Sequence, residues 1–357
     1  MGYKVYQNIK WIQKKISIKG KLTYWCKVDC NVKRIAKNYF IILEHKGIKL
    51  LSKDSLLLVK NRCIGIKVNG LRCSRLTQNK FCFQHKSSFF VKNINQINTM
   101  DCIKGLKKLP KDSASIIICD PPYNIGKDFG NSSDKQSLIG YLKWCKLWIK
   151  ECLRILRKDG ILYIYGLSEI LAHIQVRCLK DVQVRWLIWH YTNKVSPNSK
   201  FWQRSHESIL CCFKLKEVPF FNIDLVREPY TESYKKLCGK ARKSTKSRFG
   251  NKTTVYSVND LGALPRDVIK TPALSGSYGS KERVKEHPTQ KPLILCEKLI
   301  KSTLNETDNL LVIPFVGSGS ECVASKKLKV PFIGFEINEN YVALAKSRLK
   351  KLKECVN

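Results

Sequence analysis

The sequence predicts an α/β protein, an open and mostly parallel sheet with helices on both faces, and three stretches carry that reading. Ile116 to Cys119 is a short apolar, β-branched run that stops at Asp120-Pro121-Pro122-Tyr123. Leu310 to Phe315 is a second such run, and it passes through Val316-Gly317-Ser318-Gly319-Ser320 into a helical stretch from Glu321 to Leu328. Val330 to Phe335 is a third, ending in an acid, Glu336. Unbroken apolar runs of this length suit strands buried on both faces, the pattern of parallel sheets.

Taken in chain order, the first 93 residues stand apart, with 17 Lys and 4 Arg against three acids. Asn93 to Met100 is a short run before Asp101, an acid that by itself reads as a turn or a helix cap. After the 116–119 strand, a helix is expected from about 136 to 157, because Leu138, Leu142, Cys145, Ile149, Cys152, Leu153 and Leu156 recur at near-helical spacing. Lys158-Asp159-Gly160 reads as its end, and Ile161 to Gly166 as the next strand. Arg185 to Tyr191 and Ser208 to Phe213 read as a strand pair, separated by a polar loop with Pro197, Lys200, Arg204 and His206. Residues 217–286 break the alternation with Pro, Ser, Gly and basic residues, and so read as an insertion. Pro292 stands where a helix begins, and Glu339 to Leu352 forms the last helix, its Lys-rich end matching the helix dipole.

Chemistry concentrates at the ends of those strands, where open α/β sheets place their sites. Asp120 and the carbonyls of Pro121 and Pro122 can accept hydrogen bonds from an exocyclic amino group, and the Tyr123 ring can stack on the base that carries it. The same tetrapeptide is also ordinary turn chemistry. A glycine-containing turn before a helix N-terminus lets backbone approach a ligand closely, and an acid ending the next strand typically accepts from ribose hydroxyls. Together, 310–336 reads as a unit for a nucleoside-bearing cofactor.

With His287-Pro288-Thr289-Gln290-Lys291-Pro292 just upstream, these motifs resemble those of the circularly permuted β group of DNA amino-methyltransferases, over about residues 94–351. The resemblance implies a Rossmann-like methyltransferase sheet, S-adenosylmethionine as cofactor, and double-stranded DNA as substrate. By resemblance Asp120, Pro121, Pro122 and Tyr123 would be catalytic. Phe315, Gly317, Ser318, Gly319 and Glu336 would hold the cofactor, Asp101 would lie near its adenine, and His287, Thr289 and Lys291 would close the pocket. Where the family commonly has Asp before Pro-Phe this chain has Ile313, which bears on cofactor affinity, and Ser320 replaces a common Thr. A first Asp in the catalytic motif favours adenine N6 over cytosine N4. His206-Glu207 is read as structural, since direct amino methylation needs no acid–base pair.

Composition agrees with a nucleic-acid partner. Sixty-six basic against 28 acidic residues give a net charge of +38, which attracts polyphosphate. Nearly half of that excess, +18, lies in residues 1–93, and residues 235–252 hold eight basic residues and no acid. Sixteen scattered cysteines fit a reducing compartment. No apolar run is long enough to span a membrane and no signal peptide is indicated, so a cytoplasmic, DNA-associated protein is expected. Cys63, Cys73, Cys82 and His85, within the basic segment 62–86, have a spacing suited to a structural zinc site, with Cys26 and Cys30 as an alternative pair.

Two domains are therefore expected: a basic region over 1–93, with the zinc module at 62–86, and a catalytic domain over 94–357, with 217–286 as its target-recognition insertion. Three functions fit this organisation. The first is an adenine-N6 DNA methyltransferase, alone or beside a companion restriction endonuclease. The second is the same chemistry on cytosine N4 or RNA, and the third is a DNA-binding protein that keeps the fold without turnover.

Overall fold

The computed structural model describes residues 11–15, 23–27, 32–36, 39–44, 47–52, 89–127, 134–193, 200–214, 216–217, 219–241, 255–275, 281–305 and 309–354. The chain divides into two compact units, Met1–Lys92 and Asn93–Asn357. In the first unit, β1 (Trp11–Lys15), β2 (Thr23–Lys27), β3 (Val32–Ala36), β4 (Tyr39–Glu44) and β5 (Gly47–Ser52) form an antiparallel meander, each strand pairing with the next. A one-turn helix, α1 (Phe89–Lys92), ends the unit. Cys63, Cys73, Cys82 and His85 lie outside the described residues, as does Cys30.

The second unit is built on eight strands: β6 (Gln96–Thr99), β7 (Ala114–Cys119), β8 (Leu156–Gly166), β9 (Val182–His190), β10 (His206–Lys214), β11 (Val268–Lys270), β12 (Leu311–Ile313) and β13 (Phe332–Glu336). Their order across the sheet is β11-β9-β10-β8-β7-β12-β13-β6. The run β8, β7, β12, β13, β6 is parallel throughout, and β10 is antiparallel to both of its neighbours. From the β7–β12 pair the chain winds outward in opposite directions, so the ends of these two strands flank the switch point where open α/β sheets bind ligands. The strand carrying Asp120 thus precedes in sequence the strand leading to Gly317, yet lies beside it.

Every residue of β7, β12 and β13 is buried, so both sheet faces are covered. Helices α2 (Cys102–Lys107), α3 (Leu138–Ile155) and α4 (Ser168–Cys178) form one packed set. Beyond the short α5 (Glu232–Lys235), helices α6 (Leu293–Lys301), α7 (Ser320–Lys327) and α8 (Glu339–Glu354) form the other. Helix α3 is capped by Ser137 and buries Tyr141, Cys145, Trp148, Ile149, Cys152 and Ile155 on one face.

Two sequence readings change here. Helix α3 ends at Ile155 and β8 starts at once, so Lys158-Asp159-Gly160 is extended strand. Gly160 is required for close approach: a Cβ there would meet the Ser115 carbonyl at 2.9 Å. Within the supposed insertion 217–286, β11 joins the sheet edge parallel to β9. It is fastened there by Trp189, whose indole N–H donates to the Thr271 carbonyl at 2.9 Å.

Candidate active site

At the C-terminal ends of β7, β12 and β13 lies a cavity of about 210 Å³. It is lined by Asp101, Asp120, Pro121, Pro122, Tyr123, His287, Thr289, Lys291, Phe315, Gly317, Ser318 and Glu336, which brings three distant motifs together. Gly319 is not in its wall. That residue adopts φ +81°, and a Cβ on it would sit 2.6 Å from the Ala345 Cβ, so it allows α8 to approach the turn before α7. Gly317 borders the cavity with φ +48°, and a Cβ there would meet His287 Nε2 at 2.8 Å. Arg348 of α8 fixes the same turn, donating to the Ser318 carbonyl at 2.6 Å and to Ser320 Oγ at 3.2 Å.

The carboxylate of Asp120 sits in a network of charges. Lys291 Nζ donates to Asp120 Oδ1 and Oδ2, both at 2.9 Å, and stands 3.5 Å from Glu207 Oε2. The Tyr123 hydroxyl lies 2.7 Å from Asp120 Oδ1 and 3.2 Å from Glu207 Oε2, while Tyr191 donates to Glu207 Oε1 at 2.8 Å. The Lys291 ammonium also lies over the rings of Tyr123 and Tyr165, at 5.4 and 5.0 Å from their centroids. Lys291 is only 3 % exposed, and two carboxylates converging on it outweigh burial and raise its pKa. Burial, reinforced by the charge of Glu207, leaves the Asp120 carboxyl above its ordinary range in spite of Lys291. Glu207 is held below its ordinary value by Lys291 and the two tyrosines, against the opposing effect of burial.

The loop after Tyr123 is held by a residue with no local sequence signal. Asp134, 1 % exposed, accepts the backbone N–H of Asn124 at 2.5 Å, of Ile125 at 3.2 Å and of Lys127 at 2.8 Å. Asn124 and Gly126 take left-handed backbone there, with φ of +59° and +79°. Asp134→Ala should therefore destabilise the domain by about 1.5–3 kcal/mol, the range for hydrogen bonds to a charged group, with Asp134→Asn costing less. Urea unfolding of both variants measures this, and equal stability of Asp134→Ala and the unaltered chain would contradict it.

On the glycine side, Glu336 Oε2 accepts the Gly317 N–H at 2.8 Å and Oε1 that of Asn338 at 2.9 Å. Burial raises its pKa against those two bonds. The His287 ring meets Tyr341 edge-on at 4.7 Å, and its Nδ1 accepts the Thr289 N–H at 3.3 Å. Burial, helped by the charge of Lys291, lowers the His287 pKa to about 4, so the imidazole is neutral. Phe315 is wedged edge-on against Trp144 and Trp148, at 5.7 and 5.4 Å. Asp101 lines the cavity and also caps α2, accepting the Lys104 N–H at 3.0 Å. Ile313 is fully buried in the core cluster and does not line the cavity.

A family described as DNA methylase matches residues 114–347, a span that includes Asp120-Pro121-Pro122-Tyr123 and the glycine turn at this cavity. The chain belongs to the DNA methylase family. As a DNA methylase it is 32 % identical over 272 residues to Type II methyltransferase M.HpaI of Haemophilus parainfluenzae, covering 72 % of this chain and 78 % of that one. It is 31 % identical over 254 residues to the DNA adenine methyltransferase YhdJ of Escherichia coli (strain K12), covering 70 % and 80 %. Among solved structures, the cytosine-N4-specific PvuII DNA methyltransferase superposes with a TM-score of 0.52 at 18 % identity, over 71 % of this chain and 85 % of that one, a likeness of fold.

Glu207, read from the sequence as structural, lies 3.2 Å from the Tyr123 hydroxyl and 3.5 Å from Lys291 Nζ, and so joins the charge network around Asp120. Lys291 lines the cavity, and its ammonium is turned to Asp120. Of the loop cations between β9 and β10, Arg204 is paired with Glu169 Oε1 at 2.6 Å, and Lys194 lies outside the described residues. Among the described residues no group of His, Cys, Asp and Glu is placed to hold a metal, and no helix is long and apolar enough to cross a membrane.

Proposed function

We propose that this DNA methylase transfers the methyl group of S-adenosylmethionine to N6 of adenine in duplex DNA, with the target base swung out of the stack. One observation carries the reading: Asp120-Pro121-Pro122-Tyr123 and the Gly317 turn, with Glu336 beyond it, line one cavity. That cavity suits a nucleoside. Its wall joins an acid fit for ribose hydroxyls, a glycine turn, and the aromatic rings of Phe315, Trp144 and Tyr341. When bound, S-adenosylmethionine supplies an electrophilic methyl carbon on a sulfonium. Its site would be made by Glu336, Gly317, Ser318 and Phe315, with Asp101, His287 and Thr289 around them.

The residues of β7 act on the nucleophile. An exocyclic amino nitrogen is a poor nucleophile while its lone pair is delocalised into the ring. Accepting its N–H bonds at Asp120 and the Pro121 carbonyl favours the tetrahedral geometry that frees the pair and aims it. A carboxylate has about four lone-pair sites. Tyr123 and Lys291 use Oδ1, and Lys291 alone uses Oδ2, which leaves Oδ2 able to accept a substrate N–H. The raised pKa of Asp120 also suits it to receive the proton that the nitrogen sheds once methylated. The target atom is inaccessible inside a stacked duplex, so the base must be extruded, and Tyr123 offers a ring to stack it.

Adenine is favoured by the leading Asp of the motif and by the likeness to YhdJ, a DNA adenine methyltransferase. A companion restriction endonuclease is suggested by the Type II designation of M.HpaI. The test is transfer of labelled methyl from S-adenosylmethionine to unmethylated duplex DNA, followed by digestion to nucleosides. Label in N6-methyladenine is expected. Label in N4-methylcytosine, or in RNA only, would move the activity to that substrate, and no label with tight DNA binding would overturn the enzyme reading.

A further inference from the structure

Glu321 is a buried carboxylate that the mechanism above leaves unused. It stands in the first turn of α7, just past the glycine turn, is 3 % exposed, and lines the cavity. Among the described residues it makes no ion pair within 4 Å, and its side-chain donor is the Cys296 thiol at 3.5 Å. The nearby ammonium of Lys291 is committed to Asp120 and Glu207. A carboxylate this deep, with a weak thiol as its side-chain donor, is costly unless a cation reaches it from the cavity.

We propose that Glu321 receives the α-ammonium at the amino-acid end of the cofactor. The inference rests on the S-adenosylmethionine reading above. An ammonium has three donors for the acceptors of Glu321, whereas a sulfonium carries a charge but no N–H, so the ammonium is the better match. The contacts on either side of the turn agree. Glu336, which suits ribose, accepts the Gly317 N–H at 2.8 Å, whereas Glu321 stands past the turn in α7 and meets Cys296 of α6.

The groups facing Glu321 set its titration. Burial raises its carboxyl most, to about 7, and the charge of Asp120 adds to this, while its own backbone N–H, Lys291 and the Cys296 thiol oppose it. Tyr165 and Cys322, also buried and neutral, and the Arg348 guanidinium lie around it. In the ligand-free site the group is thus about half protonated near neutrality. An ammonium partner favours the ionised form, so below pH 7 binding must release a proton, and affinity must fall as pH falls. One group titrating near 7 predicts a roughly eightfold loss of affinity between pH 7.5 and pH 6.

The test is calorimetric titration of the full chain with S-adenosylmethionine, S-adenosylhomocysteine and the deamino analogue of the latter, which lacks only the α-amino group. Glu321→Gln should weaken the first two about tenfold or more and leave the deamino analogue within twofold. In the unaltered chain the affinity for S-adenosylhomocysteine should drop on going to pH 6 with proton release, and that for the deamino analogue should not. Equal losses on all three ligands, or no loss on any, would overturn the assignment, as would a pH response shared by the deamino analogue. The unaltered-chain series decides the matter even if the Gln variant does not fold. Failure of the unaltered chain to bind any of the three would instead remove the cofactor reading, and this inference with it.

Discussion

Asp120→Asn is expected to lower methyl transfer by about 10³-fold or more while leaving affinity for S-adenosylmethionine and for DNA within a few-fold of the unaltered chain. The substitution keeps shape but exchanges an acceptor for a donor at one of the two oxygens. The amino group would then meet an N–H where it needs a lone pair. Asn also cannot receive the proton shed by the methylated nitrogen. The fold should survive, because Lys291 still has Glu207 at 3.5 Å and Tyr123 still has the same acid at 3.2 Å. The contrasting variant is Glu336→Ala, whose partners Gly317 and Asn338 lie on the cofactor side. There the expected loss is mainly in cofactor affinity. Single-turnover transfer with saturating cofactor separates the two, and equal residual activity in both variants would contradict the division of labour.

The strands that frame the cavity were legible because each is short, apolar and stopped by a residue with a job. Asp120 follows β7, Pro314 and Phe315 follow β12, and Glu336 closes β13. Both glycines of the turn carry positive φ, and a Cβ on either would collide with a side chain, so their presence in sequence had a direct geometric meaning. What was not legible depends on contacts remote in sequence. Glu207 reaches Tyr123 across 84 positions, and nothing around it in β10 marks it as more than a strand acid. Asp134 binds backbone N–H groups that exist as a set only once Asn124 and Gly126 have turned left-handed.

Local patterns also failed in specific ways. Lys158-Asp159-Gly160 has turn composition, yet the Leu156 N–H completes the last turn of α3 and the strand begins there, with Gly160 pressed on β7. Helix α4 buries only Leu171 and Ile174, which is too narrow an apolar stripe to read. In the first unit, the run YFIILE of β4 carries a strand signal of its own, apolar and partly β-branched.

Lys291→Met should destabilise the second unit by about 3–5 kcal/mol near neutral pH, the cost of breaking a buried ion pair from one side. Methionine fills nearly the same space, so the loss measures charge more than volume. It leaves Asp120 and Glu207 facing one another, bridged by Tyr123, with no cation among the described residues at hydrogen-bond distance. In the variant both carboxyls should bind protons more tightly folded than unfolded. Their raised folded pKa values make the folded state gain stability as pH falls through them, and lose it as pH rises. The deficit relative to the unaltered chain should therefore shrink on going from pH 8 to pH 6. Adding Glu207→Gln removes one of the opposed charges and should recover a good part of the loss, a coupling that distant sites would not show. Urea unfolding of the four chains at the two pH values gives the cycle. A deficit independent of pH and unaffected by Glu207→Gln would mean that Lys291 supports the fold through packing, and that the charge network around Asp120 is not what holds its carboxylate in place.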